Sequence, residues 1–360
     1  MHSPTAVCNA ASLLRRSFFL LLTVLGLFFL PGGASADPLS EMKAFSGIQG
    51  ADLASLEGGK TVVGRGGSMS SPKDLAVQSC YLVPLPLQKA VNFHRQWNAA
   101  RYPELKVYMH RELSAKSSPA EFLEAFAAIR ANEAVRSLAA ATEALASGQS
   151  ELQLSATEAK QFGKAASGGA KGPFSPQGAA FWSNLLSERA LAFASGGAAS
   201  QPPYAISGET VKVTDEIARL LKEQPKLRDQ FKPVLDDAAL ASGGGKLAPA
   251  LYSELVDVEG RAAFLLGASY SQPVKDGWQG VDVQYYSSNG FFALLTFYQF
   301  WPVTTASGQP ATLVWRGDLI SSASLAELHG VERLGSSGAM MKEIQKSIDF
   351  LQRDAAAAKR

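Results

Sequence analysis

The stretch VDVQYYSSNGFFALLTFYQFWPV, residues 281–303, limits what this chain can fold into more than any other, because it sets eight aromatic rings around one hairpin signal. Its two runs, VDVQYYS and FFALLTFYQFW, flank Ser288-Asn289-Gly290. Asn-Gly between such runs favours a tight reversal, since both residues tolerate positive φ. Alternate residues of a strand face opposite sides of a sheet. Along 291–301 one side therefore carries Phe291, Ala293, Leu295, Phe297, Gln299 and Trp301, and the other Phe292, Leu294, Thr296, Tyr298 and Phe300. Both sides are apolar, so each needs a cover. The C-terminal helix suits one; the other needs a helical segment, a second copy of the chain or a membrane surface. On the neighbouring strand Val281, Val283 and Tyr285 share one side and Asp282, Gln284 and Tyr286 the other, so the second face is only partly apolar.

The same period of two runs through the last third of the chain. Strands are expected at about 248–257, 261–271, 281–287, 291–301 and 311–320, with a turn at Glu259-Gly260, which makes an antiparallel meander. The period then changes: Met340 or Met341, Ile344, Ile348 and Leu351 form one stripe of a helix expected over about 337–357. Nearer the N-terminus, 60–66 reads as a short strand and 75–83 as a second one, ended by Pro84 and Pro86. LQKAVNFHRQW reads as an amphipathic helix, and 105–113 as a third strand.

Residues 117–246 have a helical texture. Ser118, Pro119 and Glu121 make a capping box with proline at the first helical position, and one helix is expected to run from there to Gly148. Further helices are expected from the Ser155 and Glu158 box, from Pro176, from Thr214 and briefly from Pro225. The runs SGGAKGPFSPQG, SGGAASQPPY and ASGGGK between them read as flexible joints. Residues 37–58 read as loose apart from one or two helical turns in DLASLEGG.

At the N-terminus Arg15 and Arg16 precede SFFLLLTVLGLFFL, then PGGASA and Asp37. That is the pattern of a secretory signal peptide, with cleavage expected after Ala36. The apolar run from Phe18 to Leu30 is about 13 residues, shorter than the roughly 20 a spanning helix needs; an uncleaved membrane anchor is the alternative. The expected location is periplasmic or extracellular, with membrane contact only through the signal peptide before cleavage. Cys8 precedes the apolar run and so is no lipoprotein site. Removing 1–36 leaves 32 basic against 32 acidic residues, a balance that steers no nucleic acid. Cys80 is then the only cysteine, so the fold rests on its apolar core without an internal disulfide.

With 117–246 set aside, the order is strand, strand, helix, strand, meander, long helix, and the run CYLVPLPLQKAVNFHRQW…YPEL carries a strand through proline into a helix and an aromatic-Pro turn. This resembles the helix-grip arrangement of the START and Bet v 1-like superfamily. The resemblance implies a curved sheet around a C-terminal helix, with a hydrophobic ligand held between them. The expected fold class is α+β, a curved antiparallel sheet packed on a long C-terminal helix with a large helical insertion. The expected organisation is 1–36 signal peptide, 37–73 N-terminal segment with a short strand, 74–116 and 247–357 the α+β domain, and 117–246 the insertion. About 130 helical residues stand where that superfamily has little or nothing.

No motif dictates a reaction. His94, His110 and His329 share no helical turn; His110 and Glu112 share a strand face but lack the third ligand a zinc site needs. CxxC, HExxH and G-x-S-x-G are absent, GASYS at 267–271 lacking the last glycine, and GRGG and SGGGK lack phosphate-loop spacing. Neither metal nor cofactor is expected. Arg316-Gly317-Asp318 spells an adhesion tripeptide, but within TLVWRGDLIS a strand holds it extended with Arg316 and Asp318 on one face. The expected function is non-catalytic binding of an apolar small molecule or lipid in a cavity lined by Phe264, Tyr285, Phe297 and Trp315 and closed by Met341, Ile344 and Ile348. The same side chains serve a filled core equally well. Two alternatives stand beside it: a structural or interaction protein of the cell envelope with the second aromatic face as its surface for a second copy or another partner, and a hydrolase whose site is assembled from distant residues.

Overall fold

A computed structural model describes residues 37–149, 151–164, 171–206 and 208–359; the signal-peptide reading of 1–36 lies outside the described residues. The strands are β1 Val62–Arg65, β2 Asp74–Val83, β3 Val107–Leu113, β4 Tyr204–Ile206, β5 Glu209–Val211, β6 Ala250–Val258, β7 Arg261–Val274, β8 Gly277–Ser287, β9 Ala293–Thr304 and β10 Pro310–Ser321. Eight of them form one antiparallel sheet in the order β1-β2-β10-β9-β8-β7-β6-β3, and β4-β5 is a separate ribbon. The expected meander is thus β6 to β10. The two earlier strands β2 and β3 flank it, one beside β10 and one beside β6.

Two departures from strict alternation follow from local geometry. β9 begins at Ala293, after Phe292 N–H donates to Ser321 O at 2.7 Å. Phe291 and Phe292 therefore belong to the connection, and their sides are the reverse of the expected ones: Phe292 packs with Ala293, Leu295 and Phe297, and Phe291 with Ala263 and Leu265. A β-bulge then falls opposite Leu266 and Gly267, with Tyr285 as the extra residue. It puts Tyr285 and Tyr286 in the same cluster, where simple alternation separates them.

The helices are α1 Pro38–Phe45, α2 Leu53–Glu57, α3 Leu87–Gln96, α4 Pro119–Ala127, α5 Glu133–Glu143, α6 Ala156–Gln161, α7 Pro176–Gly196, α8 Val213–Glu223, α9 Pro225–Gln230, α10 Lys232–Ala238, α11 Ala323–Glu327 and α12 Gly330–Ala358. The stripe Ile344, Ile348, Leu351 and Ala355 of α12 packs with Val77, Tyr81 and Val83 of β2, Val314 of β10, and Ala90 and Val91 of α3. The opposite side of the sheet is covered by helices from the segment between β3 and β6, whose Phe122, Phe126, Val135, Trp182, Phe193 and Phe231 join the sheet's aromatics in the main core. The sheet curves: Tyr102, after α3, stacks on Phe350 of α12 at 4.4 Å, and the adjoining turn Ala99–Arg101 runs against β3, while α12 itself lies on β1 and β2. Both edges of the sheet therefore come near one helix.

The single helix expected from Ser118 to Gly148 is two. The capping box forms at its start, Ser118 N–H donating to Glu121 Oε2 at 3.2 Å, but the helix stops at Ala127 and a second begins where the Asn132 side chain caps Val135 N–H at 2.9 Å. An internal Asn competes for backbone donors and so makes a new start. Two of the joints expected to be flexible, 195–204 and 241–246, are also otherwise; residues 167–170 of the third lie outside the described residues. Gly197 and Gly243, at φ of 62° and 66°, abut backbone to backbone, and Ala198 and Ala199 N–H donate to Leu240 O and Ala241 O at 3.0 and 2.8 Å. A Cβ on Gly197 would lie 2.5 Å from Gly243 N. Glycine there permits close docking as well as positive φ. The loose start is α1, capped by Asp37, whose carboxylate accepts Ser40 N–H at 3.1 Å.

Candidate functional site

The seven side chains expected to enclose a cavity fall on two sides of the sheet. Phe264, Tyr285, Phe297 and Trp315, all 0–2% exposed, face the helical layer. Phe264 meets Phe126, Phe174 and Trp182 at ring separations of 5.2, 5.6 and 5.0 Å; Tyr285 stacks on Phe193 at 3.8 Å; Phe231 meets Phe297 at 5.0 Å and Trp315 at 5.7 Å. Met341, Ile344 and Ile348 lie on α12, against Tyr81, Phe300 and Val314. The expected lining and its expected lid are thus separated by the sheet itself. Alternation fixes which residues share a side, but two apolar sides give no clue to which one the terminal helix takes. The four aromatics fill a core.

The α12 side of the sheet carries something different. Ser269, Asp282, Thr296 and Asp318 are direct register partners on β7, β8, β9 and β10. They make one polar row across four strands. One step along the strands, Gly280, Tyr298, Arg316 and Ser79 are opposed in the same way on β8, β9, β10 and β2. On the far strands Glu254 of β6 opposes His110 of β3, and Tyr252 opposes Glu112. Asp282, Tyr252, Ser269, Glu254, His110, Arg316 and Tyr298 are half-buried. Aromatic Trp278, Tyr298 and Phe300 with Phe93 of α3 flank this polar surface on one side, and Leu294, Ile320, Val256 and Val258 flank it on the other.

Its polar groups are held in position. Tyr252 Oη donates to Asp282 Oδ1 at 2.6 Å and Ser269 Oγ to Asp282 Oδ2 at 2.5 Å. Tyr252 reaches over Gly267 to do so: a Cβ at Gly267 would sit 2.1 Å from the tyrosine ring. Burial raises the Asp282 carboxyl to about 6, against the pull of those two hydroxyls. His110 Nδ1 lies 2.8 Å from Glu254 Oε1, and this hydrogen bond raises the imidazole against the effect of its partial burial. Arg316 donates through Nε and Nη2 to both Asp318 oxygens at 2.8 and 2.7 Å, and Thr296 Oγ1 donates to Asp318 Oδ1 at 2.9 Å. The tripeptide Arg316-Gly317-Asp318 is therefore an in-strand ion pair, with Asp318 fully buried. His94 lies edge-on to Tyr298 and Phe300 at 4.4 and 5.4 Å, and burial, aided by the Arg316 charge, pushes it down to about 3. It is a neutral packing ring. His110 pairs with Glu254 and not with its strand neighbour Glu112; among the described residues no three His, Cys, Asp or Glu side chains converge as metal ligands.

Chemically, this face offers a carboxyl pushed up to about 6 by burial, with hydroxyls, rings and two ion pairs around it. The sequence carries Asp282, Tyr252 and Ser269 plainly enough, but they come together only through register. Their one local signal is Asp282 and Gln284 interrupting an apolar strand. A second feature was also missed, the buried Arg189 of α7, which donates to both oxygens of Glu158 at 2.7 Å and to Gln201 Oε1 and Pro202 O. It borders a cleft of about 550 Å³ between α6, α7 and β4, but these bonds and its stacking over Tyr286 at 4.3 Å commit it to holding the helical layer together. Cys80 is fully buried beside Trp315, and burial pushes its thiol up to about 12, so it offers no nucleophile. No family model, curated protein or solved structure matches this chain, and its function is read from its own residues.

Proposed function

We propose that this chain is an exported, non-catalytic binding protein of helix-grip type, and that a small molecule or lipid with a polar end sits in the groove on the α12 side of the sheet. The observation that carries this reading is the polar row Ser269–Asp282–Thr296–Asp318, half-buried at Ser269 and Asp282 and buried at Thr296 and Asp318, with Trp278, Tyr298 and Phe300 on one side of it and Leu294 and Ile320 on the other. The curved sheet and the long terminal helix support the superfamily resemblance. Binding sites combine an apolar wall with a few placed polar groups, and this groove has both. Native mass spectrometry of the purified chain tests the reading. A bound molecule is expected to leave on organic extraction; repeated recovery of empty, well-folded protein overturns it.

One observation favours a second, hydrolytic reading: Asp282, with a pKa near 6, lies on the same face as the His110–Glu254 pair, the kind of arrangement a general acid and base would use. Turnover of an ester or glycoside panel that disappears in Asp282→Asn would support it. Turnover unchanged by that substitution would exclude this site.

A further inference from the structure

We propose that the polar end of the ligand is a protonated amine, held by the Asp282 carboxylate; this rests on the binding reading above. Charge balance on this half-buried face favours such a ligand. The charged and titratable groups that face it are His110 and the exposed Glu112 from β3, Tyr252 and Glu254 from β6, Asp282 from β8, Tyr298 from β9, Arg316 and Asp318 from β10, and the neutral His94 from α3. Arg316 is bound twice by Asp318, and His110 is bound by Glu254. Among the described residues, Asp282 alone of these has only hydroxyl partners, Tyr252 and Ser269. The groove therefore holds one carboxylate more than its cations match, before Glu112 is counted.

A partly desolvated carboxylate without a cation is unfavourable. An ammonium group relieves that cost, a hydroxyl relieves little of it, and an anion adds repulsion. Tyr252 and Tyr298, whose own ionisation is held up first by burial and further by the Asp282 charge, border the same position; His110 stacks on the Tyr252 ring at 5.9 Å and Arg316 lies over the Tyr298 ring at 5.7 Å. Two polar atoms of the same face lack partners, as do Ser253 Oγ, Gln279 Oε1, Tyr285 Oη and Tyr286 Oη on the other side of the sheet. Ser79 Oγ, fully buried on the same face directly across from Arg316, and Trp278 Nε1 have no hydrogen-bond partner among the described residues. Buried polar atoms are rarely left unused.

The test is titration of the purified chain with benzylamine, benzyl alcohol and benzoate, followed by nuclear magnetic resonance and calorimetry at about pH 8, above the Asp282 titration. Benzylamine is expected to bind at least about tenfold more tightly than the alcohol, with benzoate weakest. Asp282→Asn is expected to abolish the amine preference while leaving alcohol binding unchanged. Tyr252→Phe, which takes one donor from the carboxylate, is expected to reduce amine binding alone and covers the case in which the asparagine variant misfolds. Equal affinity for amine and alcohol, or an amine preference that survives Asp282→Asn, overturns the amine class and leaves the binding reading standing. Absence of any benzylamine binding overturns it too, whereas the wider binding reading is decided separately by native mass spectrometry.

Discussion

The two sides of the eight-stranded sheet are built from the same alternating strands and have been put to different uses. On the helical-layer side Phe264, Tyr285, Phe297 and Trp315 each meet another ring from that layer, and all are buried to within 2% of completely. On the α12 side Trp278, Tyr298 and Phe300 gather at one end, and the middle is given to Ser269, Asp282, Thr296 and Asp318. Ring against ring maximises buried area and dispersion and leaves no room for a guest. A carboxylate with no cation forgoes stability, and such groups gather where a protein handles a ligand. The apolar side supplies the stability that lets the other side keep its polar floor.

The sharpest way to break this contrast is Phe264→Ala. With Phe126, Phe174 and Trp182 around the ring, truncation should lower the free energy of unfolding by about 3–5 kcal/mol; a loss below about 1 kcal/mol in urea melts would mean that this side is not solid. On the other side, Ile348→Ala removes one contact of the α12 stripe, 2% exposed, and should cost about 2–3 kcal/mol. An unchanged melt would mean that α12 does not grip the sheet.

Asp282→Asn reverses the sign. Because folding raises this carboxyl from 3.8 to about 6, the folded chain binds the proton more tightly than the unfolded one, so wild-type stability falls as pH rises through that window. The shift corresponds to at most about 3 kcal/mol, and the asparagine variant should be about 1–2 kcal/mol more stable above the window. Unfolding midpoints across pH check this: the slope between the two pKa values should flatten in the variant. The smallest effect belongs to Glu254→Gln. His110 has its affinity for a proton raised by Glu254, so the pair stabilises below the ordinary histidine pKa and the contribution is lost as pH rises through the folded value. At 26% and 18% side-chain exposure it should amount to under about 1 kcal/mol, present at about pH 5 and diminishing as pH rises through the folded histidine value.

The meander, the strand order along the chain and the terminal helix were legible because period two and period 3.6 are written into single residues. Face assignment was half legible. Val281, Val283, Leu295 and Phe297 share a side as alternation requires, yet Tyr286 and Phe292 do not follow it, since the bulge at Tyr285 and the late start of β9 shift the parity. Which face α12 covers was not legible at all: it depends on where the chain passes between β3 and β6, and both faces are greasy. The polar row was invisible for a related reason. Ser269, Asp282, Thr296 and Asp318 are 13, 14 and 22 residues apart in sequence and become neighbours only through pairing register. Asn132 could have announced the break between α4 and α5, as an N-cap type between two helical runs.

The two glycine-rich turns at Gly196-Gly197 and Gly243-Gly244 bear on how the chain can be handled. Stretches of that composition invite cutting, tagging or the splicing-in of a reporter, because they look like slack. Here they interlock through main-chain atoms, with Gly197 and Gly243 too close for any side chain. A fusion inserted at either would unfasten the end of α7 from the residues that follow α10. Exposed Gly308, in the β9–β10 turn with open space around its Cβ position, is the safer place to open the chain.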